Sequence, residues 1–542
     1  MAVPTPPTAL VDVELGTGVR RGVPLAVVVA TAQQAAQGAA EGAQQDAREA
    51  ARKSVPGSAR EADGGSDDAP PVIGPHADRL GVDAAWLAAS GATGSAGAVH
   101  AVALPGSRPA VGWVVGVGGG SDRDHRRAGA ALIRAVDSRA AADREHGRPA
   151  ARSLQVALPT DVTAEQAASF AVGLALGSYD FRVTGEDRPP RTRTVTLIAP
   201  PEHEDAVRRA LVLADATALS RDLANMPSNT KDPAWLAAAA TRIAGTVPGL
   251  TTTVRDVAWL REHGFGGVLA VGGGSASPPR LIELAWRPRA AASAPHLVLV
   301  GKGITFDTGG ISIKPADGMH LMRTDMAGGG TVIAALIAIA RLTLPIRVTG
   351  LVPAAENHVS GSSYRPGDVV RHVDGHTTEV TNTDAEGRMV LADALGYAVR
   401  TLRPDILVDV ATLTGAIRVS LGWRTGGLFA GDDELAEQVV AAGQRAGEAW
   451  WRMPLGFDVV DLDTGHAERV RSEIADLKQC PPGPGSIAAA LFLREFTGGL
   501  RWAHLDIAGA ARSEKQFDEV AAGATGFSTR TLVELATALA GS

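Results

Sequence analysis

Residues 296–314 read His-Leu-Val-Leu-Val-Gly-Lys-Gly-Ile-Thr-Phe-Asp-Thr-Gly-Gly-Ile-Ser-Ile-Lys. The unbroken apolar run His296 to Gly301 predicts a strand covered on both faces, as in a mostly parallel sheet. The residues after it change character at once. Lys302, Asp307 and Lys314 stand among Gly, Thr and Ile rather than in a polar surface loop. In parallel sheets functional groups gather beyond the C-terminal strand ends, so this junction marks both the fold and the place to look for chemistry.

Working outward, the same pattern repeats. Strands are predicted at Arg347–Pro353, Glu379–Asn382, Ile406–Ala411 and Trp502–Asp506, separated by helices such as Ala327–Leu342 and Met389–Leu402. Upstream, short strands at Val99–Leu104, Val111–Val117 and Leu154–Leu158 alternate with helices at 126–146 and 164–177, which indicates a smaller α/β unit. The fold class is therefore α/β. An N-terminal α/β domain spans 1–200, a connecting helix 201–225, and a larger domain 226–542 is built on a central mostly parallel or mixed sheet flanked by helices. Residues 1–31 read as two strands joined by a Gly/Arg turn. Residues 32–78 lose apolar periodicity and read as a mostly disordered insertion, with a polar helix conceivable at 33–53.

Composition sets limits. At 542 residues two or more domains are expected. A net charge of −7, with Tyr 3 and Phe 10, argues against a phosphate-backbone binder or a base-stacking platform. The single cysteine, Cys480, allows no internal disulfide and no multi-thiolate zinc site. Arg20-Arg21 before the apolar run 23–32 has the outline of a twin-arginine signal, but Asp12 and Glu14 sit where a signal is basic, and a buried strand is the favoured reading. No run of 18 apolar residues occurs, so no membrane span is expected.

The second chemical stretch is Asn-Thr-Asp-Ala-Glu-Gly-Arg at 382–388. In extended backbone Asp384 and Glu386 share one face, and two unpaired carboxylates need a positive partner. With Asp307 and Asp325 they make four acids on one sheet edge, with Lys302, Lys314 and Arg388 nearby. Hard or borderline divalent ions suit such a set, and a pair of ions suits it better than one. No P-loop, GxSxG or HExxH pattern is present, and Gly116 to Gly120 reads as a turn because Ser121 replaces the last Gly of GxGxxG.

These motifs resemble the leucyl (cytosol) aminopeptidases, a metallopeptidase family. Besides 382–388 and 300–310, the likeness rests on Pro-Gly-Asp-Val-Val at 366–370, Ala-Thr-Leu-Thr-Gly-Ala at 411–416, Trp-Ala-His-Leu-Asp-Ile-Ala-Gly at 502–509 and Gly-Ala-Thr-Gly-Phe at 523–527. The resemblance implies a cytoplasmic homohexamer that releases N-terminal Leu and other apolar residues from peptides through a hydroxide activated by two divalent metals, Mn2+ or Zn2+, per subunit. It implies that Asp307, Asp384 and Glu386 hold one metal, helped by the Asp384 carbonyl, and that Lys302, Asp307, Asp325 and Glu386 hold the other. Lys314 would stabilise the oxyanion, and Arg388 would hold a bicarbonate as general base. Asn382, Met322, Thr412 and Gly415 would line the substrate site. Three features depart from the family pattern: His320 where Asp is usual, Ser486 after an unusual Pro/Gly-rich loop at 480–485, and the insertion at 32–78. The alternatives are a dipeptidase of the Cys-Gly type with the same chemistry, or a DNA-binding regulator on the same scaffold, against which the lack of a basic stripe in 1–200 counts.

Overall fold

The computed structural model describes residues 7–31, 71–183, 189–291, 293–455 and 469–541. Two sheets organise it. The first has seven strands: β1 (Asp12–Gly16), β2 (Leu25–Ala30), β3 (Val72–Ile73), β4 (Val99–Ala103), β5 (Val111–Gly116), β6 (Ser153–Ala157) and β7 (Thr194–Ile198). Their order is β1-β7-β6-β2-β5-β4, with β3 on β2. The pairs from β1 through β5 are parallel and β4 runs antiparallel. The two N-terminal strands are therefore not neighbours; β7 and β6 lie between them. The apolar run β2 is buried in the middle of this sheet, as its composition predicts for a strand covered on both faces. Of the expected 32–78 insertion, 32–70 lies outside the described residues. Val72–Ile73 is ordered instead, because it pairs antiparallel with the edge-most residues of β2.

Helices α1 (Asp122–Glu145) and α2 (Ala164–Gly177) pack together against this sheet. Both start with capping boxes, from Ser121 with Asp124 and from Thr163 with Gln166. Ser121 thus closes the glycine turn at 116–120 as a helix cap. A 22-residue helix, α3 (Glu204–Asn225), leads into the second unit and packs on α2 on one side and on α4 (Ala327–Arg341) on the other.

The second sheet comprises β8 (Leu250–Arg255), β9 (Arg280–Trp286), β10 (His296–Gly301), β11 (Gly303–Asp307), β12 (Arg347–Asn357), β15 (Ile406–Ala411), β16 (Thr425–Ala430), β17 (Ala449–Arg452) and β19 (Arg501–Asp506). Small strands β13 (Val369–Arg371), β14 (Thr377–Glu379) and β18 (Leu477–Lys478) form a separate ribbon. The order is β17-β16-β19-β15-β10-β12-β9-β8, with β11 on β12. The centre, β19-β15-β10-β12, is parallel, and the outer pairs β12-β9, β9-β8 and β19-β16 are antiparallel. Every residue of β10 and β15 is buried, with one hydrophobic cluster on each face of the sheet. The segment Met319–Arg341 is long and apolar enough to cross a membrane by composition alone, yet most of it is buried inside the protein, where α4 packs on α3 and on β10 and β12.

Two predicted boundaries move. Strand β14 ends at Glu379, and residues 382–385 form a turn in which the Asn382 side-chain oxygen accepts from the Asp384 amide at 2.9 Å. Helix α5 then starts at Glu386, not Met389, and runs to Tyr397. Asp384 and Glu386 are therefore not an extended i, i+2 pair. A side chain bonding to the backbone two residues on makes an Asx turn, and the turn plus the first helical residue aims the two acids.

Candidate active site

The C-terminal ends of β10, β11, β12 and β15 lie side by side, and the charged residues sit there. Lys302 follows β10 and Asp307 ends β11. Asp325 stands just before α4, and Asp384 and Glu386 sit at the start of α5. Lys302, Asp307, Asp325 and Glu386 are buried, and Asp384 is half-buried. The Lys302 ammonium lies 2.8 Å from Asp325 Oδ2 and 2.8 Å from Glu386 Oε1, and donates to the Thr412 carbonyl at 3.0 Å. Lys314 Nζ lies 2.8 Å from Asp307 Oδ2 and 2.5 Å from Asp384 Oδ1. One oxygen each of Asp307, Asp384 and Glu386 falls within 4.8 Å of the others.

Local backbone makes this approach possible. A side chain at Gly387 would place its Cβ 2.5 Å from Lys302 Cε, so only glycine admits the lysine beside the helix start. Gly309 has φ +87° and turns the chain so that its amide donates to Asp307 Oδ1 at 2.8 Å.

Burial and mutual repulsion perturb the acids. Burial, reinforced by the charge of Asp307, pushes Glu386 up to about 8, and burial with the neighbouring Asp325 raises Asp307. Burial works against the charge on Lys302, but Asp325, Glu386 and Asp307 outweigh it and hold the ammonium above its usual range. Lys314 is raised in the same way, by Asp307 first.

A cavity of about 390 Å3 opens over the cluster. Its wall includes Lys302, Asp307, Lys314, Asp325, Asp384 and Glu386, together with Met322, Thr412 and Gly415. Asn382 and Arg388 are not in that wall. Asn382 shapes the turn, its own amide donating to Gln479 Oε1 at 3.1 Å. Arg388 lies buried behind Glu386, with Nη1 donating to the Gln479 carbonyl at 2.8 Å and Nε unpaired. His320 faces a different cavity, of about 870 Å3, together with Arg323, Asn225 and Tyr179. Its departure from the family pattern therefore does not reach the catalytic wall.

Sequence reading misses Asn357 and Tyr364, which support the cluster, and names Thr412 only as a lining residue. Asn357, at the end of β12 and fully buried, donates from Nδ2 to Asp307 Oδ1 at 2.8 Å and to the Thr383 carbonyl at 3.0 Å. Tyr364 donates to that same carbonyl at 2.8 Å. Thr412 donates its hydroxyl to Asp325 Oδ1 at 2.7 Å. The one available signal was a lone Asn closing a buried apolar strand at the edge where the acids gather.

The residues fit divalent cations. Four carboxylates face only two ammonium groups, and the charge left over falls where carboxylate oxygens converge. Asp325 Oδ2 and Asp384 Oδ1 are reached by lysines at ion-pair distance, yet neither receives an aligned hydrogen bond. Oxygen-rich donors in this number suit a pair of divalent ions, the equipment of a metal-dependent hydrolase.

The comparisons make that class specific. Residues 218–533 match the Cytosol aminopeptidase family, catalytic domain. A probable cytosol aminopeptidase of Roseiflexus castenholzii is 46% identical over 378 residues, which is 68% of this chain and 75% of that protein. One from Corynebacterium glutamicum is 44% identical over 376 residues, covering 68% and 73%. Among solved structures, the bottromycin maturation enzyme BotP in complex with Mn is 42% identical, with TM-score 0.76 over 85% of this chain and 97% of that one. A mutant of tomato leucine aminopeptidase is 29% identical, with TM-score 0.80 over 99% and 98%. The chain belongs to the cytosol aminopeptidase family and is a metal-dependent exopeptidase that acts on peptides.

Proposed function

We infer that this aminopeptidase works with two divalent ions per subunit, and that the residues at the sheet edge divide between them. Asp307, Asp384 and Glu386, with the Asp384 carbonyl, take one ion. Lys302, Asp307, Asp325 and Glu386 take the other. The observation that carries this reading is the convergence of three carboxylates within 4.8 Å, with a fourth tied in through Lys302. When bound, the metals supply Lewis-acid polarisation and a nucleophile at neutral pH.

The chain does the rest. The free α-amine of the substrate seats at the cluster, which restricts cleavage to the first peptide bond. Lys314, whose ammonium lies between Asp307 and Asp384 in the cavity wall, donates to the scissile carbonyl oxygen and stabilises the charge that develops there. Met322, Thr412 and Gly415 line the side-chain pocket. Asn382 fixes the turn beneath it. Arg388 holds an anion such as bicarbonate, and its unpaired buried Nε supports a seat for negative charge.

The chain would divide into a domain at 1–200, a connector at 201–225 and a catalytic domain at 226–542, a division supported by the two separate sheets. Assembly as a homohexamer completes the reading, together with a cytoplasmic location that the naming of the relatives as cytosol aminopeptidases supports. The test is hydrolysis of Leu-p-nitroanilide by purified protein. Activity should vanish on chelation and return with Mn2+ or Zn2+; activity indifferent to chelation would refute the metal assignment.

A further inference from the structure

The catalytic cavity has a second charged region. Arg418, on the short helix Gly415–Leu421, and Arg512, at the start of the strand Arg512–Ser513, both line it. Their guanidinium carbons lie 5.1 and 5.8 Å from the ring centre of Trp423, another wall residue. A guanidinium drawn to an aromatic face is oriented while its N–H edge stays free to donate.

Neither arginine is satisfied by a carboxylate. Among the described residues Arg418 has no ion-pair partner. The partner of Arg512 is Glu514, at 3.7 Å, beyond hydrogen-bond reach, and that glutamate is 68% exposed while Arg512 is 16% exposed. Burial lowers the Arg512 guanidinium, and the positive charges of Arg323 and Arg418 add to the drop despite Glu514, so local positive charge is in excess. Outside the metal-binding group, the cavity wall contains one other carboxylate among the described residues, Asp317, on the exposed loop after Lys314.

We propose that Arg418 and Arg512, oriented on Trp423, form a carboxylate-recognition subsite, so that the enzyme favours peptides carrying a carboxylate within one or two residues of the scissile bond. The inference rests on the aminopeptidase reading of the same cavity and goes beyond it in naming the substrate class. Two sources present this chemistry: an acidic side chain on the departing N-terminal residue, or the free C-terminus of a dipeptide. The planar N–H fork of arginine matches a carboxylate in either case. The volume of about 390 Å3 that the subsite shares with the metal cluster confines the carboxylate to short range.

The test measures kcat/KM of the Mn-loaded full-length enzyme on two isosteric pairs, Glu- against Gln-p-nitroanilide and Leu-Gly against Leu-Gly amide, with Leu-p-nitroanilide as reference. Hydrogen bonds to charged groups predict that at least one acid-to-amide ratio reaches about tenfold to hundredfold, and the pair that shows it identifies the source. In Arg418→Gln/Arg512→Gln that ratio, taken within the variant, should fall towards one. If the variant does not fold, the wild-type ratio at low and high salt serves instead, since a rim ion pair is screened; a salt-independent ratio would overturn the subsite. Ratios near one on both pairs, with Leu-p-nitroanilide still cleaved, overturn the subsite alone. If no substrate is cleaved by the metal-loaded protein, the aminopeptidase reading falls and takes the subsite with it.

Discussion

Replacing Asn357 with Ala tests how the acids are held in place. This side chain is fully buried and makes two hydrogen bonds, at 2.8 Å to Asp307 Oδ1 and at 3.0 Å to the Thr383 carbonyl. The first goes to a carboxylate and is worth about 1.5–3 kcal/mol; the second is a neutral bond worth about 0.5–1.5 kcal/mol. The Thr383 carbonyl keeps Tyr364 as a donor, and Asp307 keeps the Gly309 amide and Lys314. Neither acceptor is stripped bare, so the expected destabilisation is about 2–4 kcal/mol rather than the full cost of two orphaned groups. Asp307 would then be free to rotate, and residues that orient a metal ligand typically govern about 10–100-fold in metal affinity. The assay pairs a thermal melt in chelator with a Mn2+ titration followed by Leu-p-nitroanilide hydrolysis. A lowered melting temperature with unchanged Mn2+ affinity would refute the argument, because Asn357 would then be packing the strand end without orienting Asp307.

Glu386→Ala should lose bound metal and activity together, read by metal analysis of the purified variant; a full complement would remove Glu386 from the ligand set. Lys314→Ala should keep its metals but lose about 10²–10³ in kcat, the usual worth of one oxyanion donor. Unchanged kcat with raised KM would make it a binding residue only. Arg388→Ala should likewise keep metal content and lose rate, and added bicarbonate should then no longer affect kcat. Glu386 is raised from the model-peptide value near 4.5 to about 8 in the metal-free protein. Its contribution to metal-free stability is therefore complete below pH of about 4.5 and is lost as pH rises through about 8. Metal binding displaces that proton, so the rise in melting temperature on adding Mn2+ should grow between about pH 6 and 8.5; a rise independent of pH would contradict the assignment.

The central sheet was legible because its strands are apolar without interruption. Predicted and observed bounds agree for β10 and β15, the helix at 164–177 coincides with α2, and the connecting helix expected at 201–225 starts at Glu204 and ends at Asn225. Long-range order was not legible. Nothing in residues 1–31 shows that β7 and β6 insert between β1 and β2, since parallel neighbours are set by distant segments. The site was legible as a set of residues, but its geometry was misread at 382–386. The i, i+2 spacing of the acids was read on extended backbone, whereas the Asn382 side chain accepts from the Asp384 amide and makes a turn there. Asn357, Tyr364 and Gln479 escaped because they act through hydrogen bonds with backbone groups, a carboxylate or Arg388 and carry no spacing signal. Arg418 and Arg512 were invisible for another reason: they are far apart in sequence, and the fold brings them into one cavity wall beside Trp423.

Thr412 links the cavity wall to the acidic cluster. Its carbonyl accepts the Lys302 ammonium at 3.0 Å, its hydroxyl donates to Asp325 Oδ1 at 2.7 Å and to the Asp325 carbonyl at 3.0 Å, and it lines the substrate cavity. Lys302 and Asp325 are also paired with each other at 2.8 Å, so the three residues close a ring of contacts at the end of β15. Buried charges tolerate no loose partner, because a carboxylate that loses its donor at this depth bears its full desolvation cost. Any shift of Thr412 to accommodate a larger side chain would therefore strain Lys302 and Asp325 at once. Cavity shape and the geometry of the acidic cluster are set by the same backbone, whereas Arg418, Trp423 and Arg512, which line the same cavity, form no ion pair or hydrogen bond with the four acids among the described residues.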